Sequence, residues 1–593
     1  MQSQIQMSDY WNLQKKYLQP HFIKVILLGL LLLSMTIIQV FSPFLIQWYI
    51  DLATENIGRI LFSSTKKTLN FYAFLYIILS LLQFTIYLGT VYIGQDLAWS
   101  TTNKLRYDLT FHTINLDMSF HNRFKAGEMI ERIDGDINTL AQFFSQFSVQ
   151  LLTSFLLIIG IITVLFIKNW IIGLVFFGFT IFAFILIYFL RDISVQNWEK
   201  ERQSSSELFG VIEESLNAIE DIKTNDAIDF TLNKFFDKSR YNYKTFMNAL
   251  FKELYILFGS WILLSLADIL VFSPSFLLFE NGKITLGTIF FVQMIVGILI
   301  LPIYRIIRQV QQFQKAAASI RRITYLFHIK SEIKASGTKK IAPGAIELEF
   351  ENVNFSYIDT EPVLKGVSFK LNKGKKLGLV GHTGSGKTTL SRLIFRLYDI
   401  NEGNGRIKIN NIDIKEYDIK NLRSNIAYVT QDIELFQASL RNNITFFDNR
   451  ISDKKIIHIM FDLGLKEWFK RLPDGLDTII SSDEQGLSAG EAQLLTLTRV
   501  FLKKPNLVIL DEASSRLDPV TENLVKAAID KLLVNRTAII IAHRLETLDN
   551  VDEILVLDKG KVIEYGERKK LVKDKNSYFY QLLKTGKIEE VLK

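Results

Sequence analysis

The chain has no cysteine among its 593 residues. Disulfides and thiolate metal sites are therefore excluded. Its seven histidines show no metal-ligand spacing. The formal net charge of +8 is mild for this length, and no concentrated basic stripe is present. Nucleic acid is accordingly not an expected partner. A secretory signal pattern is also missing: residues 1–21 are polar and mixed in charge, and the apolar run behind them is long enough to span a bilayer. Asn-x-Ser/Thr triplets begin at Asn354, Asn443 and Asn535, in a half of the chain expected to be cytosolic and so not glycosylated.

What is present is an uneven distribution of apolar residues. They make up 49% of the chain, and their long runs crowd the part before Pro302. Six segments are long enough to cross about 30 Å of hydrocarbon at 1.5 Å per residue. They lie near 22–50, 70–95, 148–168, 170–190, 253–279 and 287–308. Pro43, Pro274 and Pro302 are breaks that membrane helices tolerate. Segments 148–168 and 170–190 are separated only by a hinge at Lys168-Asn169. Two long connections, after the second and fourth segments, are charged and rich in helix formers. The second carries Arg191, Lys200, Arg202, Lys223, Lys234, Lys238, Arg240, Lys244 and Lys252. The positive-inside rule makes both cytoplasmic, with the N-terminus and everything after the last segment. Each connection reads as a helical hairpin reaching below the bilayer, with tips near Leu116–Phe120 and Ala218–Thr224.

Residues 330–346 read as a linker whose run Lys334–Lys340 is polar and flexible in composition. Beyond it, short β-branched strands at Ala345–Phe350 and Lys376–Val380 alternate with helical stretches, as an α/β domain requires. Leu377-Gly378-Leu379-Val380 reads as a buried strand. Gly381-His382-Thr383-Gly384-Ser385-Gly386-Lys387-Thr388 follows, with Thr389 and a helix to Leu397 behind it. This strand–loop–helix context is what the phosphate-loop pattern demands. The glycines let backbone N–H groups approach phosphate, and the helix start adds positive potential. Lys387 is placed to neutralise the β- and γ-phosphates, and Thr388 to ligate Mg²⁺. A second buried strand, Leu507–Leu510, ends in Asp511, a candidate for the Mg²⁺ shell. The adjacent Glu512 is a candidate to orient or deprotonate a water.

Together these features resemble an ATP-binding cassette (ABC) protein, specifically the half-transporters of the type IV exporter class. The resemblance covers almost the whole chain. It implies an all-α, six-helix membrane domain with long cytoplasmic hairpins at 1–329, the linker at 330–346, an α/β nucleotide-binding domain at 347–581, and a tail at 582–593. It also implies that two such halves dimerise and sandwich ATP. Tyr357 resembles the aromatic that stacks on adenine. Gln431 resembles the glutamine joining Mg²⁺ and water to the membrane domain. Asp518, in Ser515-Arg516-Leu517-Asp518, resembles the loop between the two ATP sites, and His543 the switch histidine at the γ-phosphate.

Leu487-Ser488-Ala489-Gly490-Glu491 resembles the signature LSGGQ, with Ser488 and backbone N–H groups contacting the partner's ATP. Two departures stand out. Ala489 adds a Cβ where the family has glycine, and Glu491 brings negative charge where it has glutamine. The preceding Ser481–Gly486 also departs from the exporter pattern. A retained Glu512 beside an altered signature fits one half of a heterodimer; a homodimer is the alternative.

Asp268, inside the fifth segment, is expensive in hydrocarbon. It is a candidate to line a substrate cavity, or else to bond a neighbouring helix or sit shallow near Pro274. The expected function is ATP-driven export of an amphipathic small molecule, lipid or peptide, in a bacterial plasma membrane. An ATP-gated channel or sensor on the same scaffold is the alternative class. No peptidase-like segment is read before the first apolar run.

Overall fold

A computed structural model describes residues 15–55, 63–358, 361–430, 434–480, 487–511, 519–542 and 545–585. The chain divides into two compact units, residues 1–114 with 126–329 and residues 115–125 with 330–593.

The first unit is helical. Its long helices are Phe22–Glu55, Ser63–Ile114, Ser148–Lys168, Trp170–Asn217, Ile228–Glu280 and Leu286–His328. Among the described residues, five helical stretches are long and apolar enough to cross a bilayer. The expected segment at 170–190 falls on a shorter apolar stretch, Trp170–Leu186. The hinge before it is a single residue: Asn169 leaves helical geometry and its Oδ1 accepts from the N–H groups of Ile171 (2.9 Å) and Ile172 (3.4 Å). That caps the new helix where its first donors lack partners.

Phe291, Val292, Ile295, Val296, Leu299 and Ile303 recur at helical spacing and are buried against Ile161, Leu165, Phe176, Leu263 and Ala267. Helix Ser63–Ile114 behaves differently. None of its most apolar window is buried within the chain, and Phe71, Leu81, Phe84 and Tyr92 are exposed. An apolar face of this extent needs lipid or a partner helix to cover it. Below the apolar region, Asp136 is 2% exposed. It accepts from Arg322 Nε (2.8 Å), Ser319 Oγ (2.9 Å) and Arg132 Nη1 (3.5 Å).

Both hairpins turn where the sequence places their tips. Between Ile114 and Ala126 stands a short helix, Met118–Arg123. Between Asn217 and Ile228 stands Ile219–Thr224, after which Asp226 takes φ +51° and reverses the chain.

The second unit contains two main sheets. Strands β1 (Leu348–Ser356), β2 (Pro362–Leu371), β4 (Arg406–Ile409) and β5 (Ile412–Asp413) form an antiparallel sheet ordered β2-β1-β4-β5. The other sheet uses β3 (Lys376–Val380), β6 (Ile426–Val429), β9 (Leu507–Asp511), β10 (Thr537–Ile541), β11 (Glu553–Asp558) and β12 (Lys561–Glu567), ordered β12-β11-β3-β10-β9-β6. Its first five in sequence are parallel, so their C-terminal ends share one edge. A two-stranded ribbon, β7 (Ala438–Ser439) with β8 (Ile479–Ile480), completes the set.

Two local expectations need correction. β1 begins at Leu348 rather than Ala345. The helix after the glycine loop ends at Ile394, because Arg396 adopts φ +51° and cannot continue it. The linker also differs from its composition. Lys339 N–H donates to Glu416 O at 3.0 Å and its Nζ to Glu416 Oε2 at 2.6 Å, and Ile341 N–H donates to Asn421 Oδ1 at 2.7 Å. A Cβ on Gly337 would lie 2.2 Å from Tyr417 O. Residues 337–341 are therefore laid against the second unit. Pairwise neighbours, which composition does not reveal, decide this.

Candidate nucleotide site

The centre of the site is the turn leaving β3. Leu377, Leu379 and Val380 are fully buried between the parallel neighbours β11 and β10, so the strand end is a fixed platform. A Cβ on Gly381 would sit 2.2 Å from Leu557 O on β11; only glycine allows that approach. Gly386 caps the following helix, Lys387–Ile394, at φ +106°, where a side chain is strained and would meet Leu364 at 2.7 Å. The loop closes through Ser385 N–H to His382 O (3.1 Å), and Gly560 N–H holds Ser385 O at 3.1 Å.

Lys387 is 6% exposed. Its Nζ reaches back across the loop to Gly381 O and His382 O, both at 2.7 Å. The ammonium thus stands in the mouth of the backbone cradle. Ser385 Oγ is buried and has no hydrogen-bond partner among the described residues. A buried orphan hydroxyl in such a loop is chemically suited to a phosphate oxygen. Thr383, Gly384 and Thr388 are exposed, and Thr389 is buried behind them.

Register brings a carboxylate to the same sheet edge. Asp511 ends β9 and stands opposite Ile541 of β10, itself opposite Leu379 of β3. Asp511 Oδ2 accepts from Tyr428 OH at 2.7 Å. Burial first, and then this bond, hold the Tyr428 hydroxyl well above the usual phenol range. It therefore stays a donor that orients the carboxylate. Tyr428 was not expected from the sequence; its only signal is its place at the end of a strand whose neighbour in the sheet is unknown until the fold is seen.

Tyr357 follows β1 and is 39% exposed. Its hydroxyl donates to Thr389 Oγ1 at 3.1 Å and accepts from Arg392 Nη1 at 3.4 Å. Its ring meets Phe355 (5.1 Å, 87°) and Tyr398 (5.0 Å, 80°) edge to face. A partly exposed ring tethered to the helix behind the cradle can offer its face to a base.

Ser488 caps helix Ala489–Lys503. Its Oγ accepts from Glu491 N–H at 3.2 Å, and Glu491 Oε2 accepts from Ser488 N–H at 2.8 Å. This reciprocal capping box fixes the helix start. Arg471 Nη2 donates to the other Glu491 oxygen at 2.8 Å. Ser488 and Ala489 are exposed and Gly490 is buried, so the positive end of a 15-residue helix faces out of its own chain.

The tip helix Met118–Arg123 belongs to this unit. Asp117 caps it through Phe120 N–H (3.2 Å) and accepts Ser331 Oγ (2.9 Å) and Glu332 N–H on its other oxygen. Burial would raise the Asp117 carboxyl, but bonds from Ser331, Glu332, Phe120 and Ser119 outweigh it and hold the group below the usual carboxylate range. Asn122 Nδ2 donates to Tyr398 OH at 2.6 Å.

Four expected site residues, Gln431, Glu512, Asp518 and His543, lie outside the described residues, as does Ser481–Gly486. Their described chain neighbours Thr430, Asp511 and Ala542 follow or end strands of the parallel sheet. Asp268 belongs to the helical unit. Its Oδ1 accepts from Gln293 Nε2 at 2.6 Å across to helix Leu286–His328, the helix-to-helix bond that was one of its expected roles.

Comparison with known proteins gives matches along most of the chain. Residues 25–303 match the ABC transporter transmembrane region, and residues 364–515 match the ABC transporter family. An ABC transporter ATP-binding protein of Bacillus subtilis is 32% identical over 477 residues, covering 79% of this chain and 77% of the relative. An ATP-dependent lipid A-core flippase of Haemophilus influenzae is 31% identical over 497 residues, covering 81% and 83%. A putative ABC transporter ATP-binding protein of Streptococcus pneumoniae is 28% identical over 572 residues, covering 95% and 96%.

Proposed function

This chain belongs to the ABC transporter family, and from that premise we propose how its residues work and what it moves. It is an ATP-hydrolysing half-transporter of the exporter type, a multi-pass membrane protein with its nucleotide-binding unit in the cytoplasm, and it works as a dimer. The observation that carries the mechanism is the pair of half-sites: a closed phosphate cradle at Gly381–Thr389, and a capped, outward-facing helix start at Ser488.

Each half-site lacks what the other has. The cradle supplies backbone N–H groups, the Ser385 hydroxyl and the Lys387 ammonium to the phosphates of ATP. Ser488, Ala489 and Gly490 would close on the γ-phosphate held by the partner. Bound Mg²⁺ offsets phosphate charge; Thr388, Asp511 and Gln431 would hold it, since hydroxyl, carboxylate and amide oxygens suit a hard cation. Tyr428 keeps Asp511 turned to its task. Glu512 would align the attacking water, His543 would contact the γ-phosphate, and Asp518 would lie between the two sites. Tyr357 would carry the adenine.

The altered signature supports a heterodimer, in which Glu512 acts opposite a partner's intact signature. The Arg471–Glu491 pair weakens one leg of that reading by covering the charge of Glu491, so Ala489 carries more of it. For cargo, the names of the lipid A-core flippases and of a probable multidrug resistance relative from B. subtilis point to amphipathic molecules. A bacterial plasma membrane fits the organisms of these relatives. The test is ATP-dependent accumulation of fluorescent lipids and amphipathic dyes in sealed inside-out vesicles, with parallel ATPase assays. Concentrative, nucleotide-dependent uptake supports the pump. Passive flux that ATP merely opens contradicts it. Robust Glu512-dependent turnover by the chain alone would count against a required heterodimer.

A further inference from the structure

We propose that Tyr398 is a positioning residue that transmits the state of the base-stacking ring Tyr357 to the first hairpin tip through Asn122. The proposal rests on the reading of Tyr357 as the adenine platform.

Three contacts in series carry it. Tyr357 is tied to the cradle helix through Thr389, so its ring is held beside the cradle. Tyr398 meets that ring at 5.0 Å and 80°. The far end of Tyr398, its hydroxyl, accepts from Asn122 Nδ2 at 2.6 Å on the tip helix. One rigid side chain thus touches a nucleotide-facing ring at its flank and the tip at its hydroxyl.

A relay needs a stiff mount and a movable output. The mount is stiff. Arg396 is 1% exposed and binds Asp399 Oδ1 (2.8 Å), Asp399 Oδ2 (3.0 Å) and Lys334 O (2.8 Å), while Arg423 holds Arg396 O at 2.8 Å. Those bonds fix the backbone on both sides of Tyr398. The output is hinged. At its N-terminal end the tip helix is pinned by Asp117 to Ser331 and Glu332. Near its C-terminal end Asn122 supplies a side-chain bond to Tyr398. A shift of Tyr398 therefore tilts a six-residue helix about Asp117. There is room for the shift: a cavity of about 760 Å³ borders the relay, lined by Ser119, Asn122, Arg123, Tyr357 and Tyr398 among others.

The absence of cysteine makes the test direct. A single reporter, His121→Cys, sits on the exposed side of the tip and outside the relay. The full-length chain in lipid nanodiscs is labelled with a maleimide with and without ATP in EDTA, which allows binding without turnover. ATP affinity is measured in parallel. The expected result is a change of about threefold or more in labelling rate on ATP binding. Tyr398→Phe and Asn122→Ala should each abolish that change while leaving ATP affinity within about twofold. Their combination should do no more than either alone. Asn122→Asp should restore the response, because the Tyr398 hydroxyl can donate into the new carboxylate.

A labelling rate indifferent to ATP in the parent, an intact response in Tyr398→Phe, or additive losses in the double variant would each overturn the relay. Tyr357→Ala separates the premise from the relay. If ATP affinity is unchanged in Tyr357→Ala, the base-stacking reading fails and takes the relay with it. If affinity falls but Tyr398→Phe still responds, the relay alone fails.

Discussion

Arg471 Nη2 lies 2.8 Å from Glu491 Oε1, and the other oxygen of Glu491 holds Ser488 N–H at 2.8 Å. The carboxylate that stands out in the signature is thus spoken for on both sides. Its charge is matched by a guanidinium, and its geometry completes the cap of the helix it opens.

The first prediction concerns this pair. Glu491→Gln keeps a side-chain oxygen for the cap, so thermal stability should change by less than about 1 kcal/mol. Arg471 is exposed, and an exposed ion pair adds little stability. Its effect should appear in function instead. Arg471→Glu should raise the KM for ATP by several-fold in the working dimer, and Ala489→Gly should lower it. An ATPase titration across these variants reads both directions.

Gly381→Ala tests the cradle. A methyl there meets the backbone carbonyl of Leu557 at 2.2 Å, which cannot yield without moving β11. Strain of about 1–3 kcal/mol should weaken binding of a fluorescent ATP analogue by about tenfold or more. The folded state, followed by circular dichroism, should persist.

Asp117 should confer a pH response on the tip. Its folded carboxyl lies below the ordinary value of about 3.9, so its contribution is fully present above that value. It is lost as pH falls through the lower, folded value. Protection of the amides of Ser119–Arg123, taken relative to the intrinsic exchange rate at each pH, should therefore be high at neutral pH and fall in acid. Asp117→Ala should show low protection at both, with a loss of about 1 kcal/mol from the missing cap. Equal exchange in the variant and the parent at pH 7 would contradict the anchoring role.

Asp136 and Arg322 supply a stability test in the helical unit. Arg322→Met leaves a buried carboxylate with fewer donors. Because Arg322 is itself 41% exposed, the cost should be about 1–3 kcal/mol rather than that of a fully buried pair. Adding Asp136→Leu should recover part of it, since the uncompensated charge is then gone. Thermal unfolding in detergent measures both.

Much of this architecture was legible in the sequence, for identifiable reasons. Strands β3, β9 and β10 are buried on both faces, so each reads as an uninterrupted apolar run with clear ends. The second hairpin tip was legible because long charged, helix-forming arms must reverse somewhere, and Ala218 and Asn225–Asp226 leave helical geometry there. Other features depend on residues far apart in the chain. Tyr428 meets Asp511 only because β6 and β9 are neighbours in the sheet. Arg471 meets Glu491 across a fold that no periodicity announces. The run 334–340 was read as flexible from its polar composition, yet Glu416, Tyr417 and Asn421 hold residues 337–341 down. For Asp268, the sequence offered a cavity, a helix partner or a shallow position, and Gln293 supplies the partner.

The most direct test of the account is closure of the nucleotide-binding units on ATP. In full-length Glu512→Gln, a spin label at Glu467→Cys is paired with a label on the opposing nucleotide-binding unit, whether a second copy or a partner. Their separation is read by pulsed dipolar spectroscopy with and without Mg·ATP. The account predicts that ATP shortens the distance and that the short state persists, because turnover is blocked. A distance distribution unchanged by Mg·ATP, or a chain that stays monomeric in its presence, would contradict it.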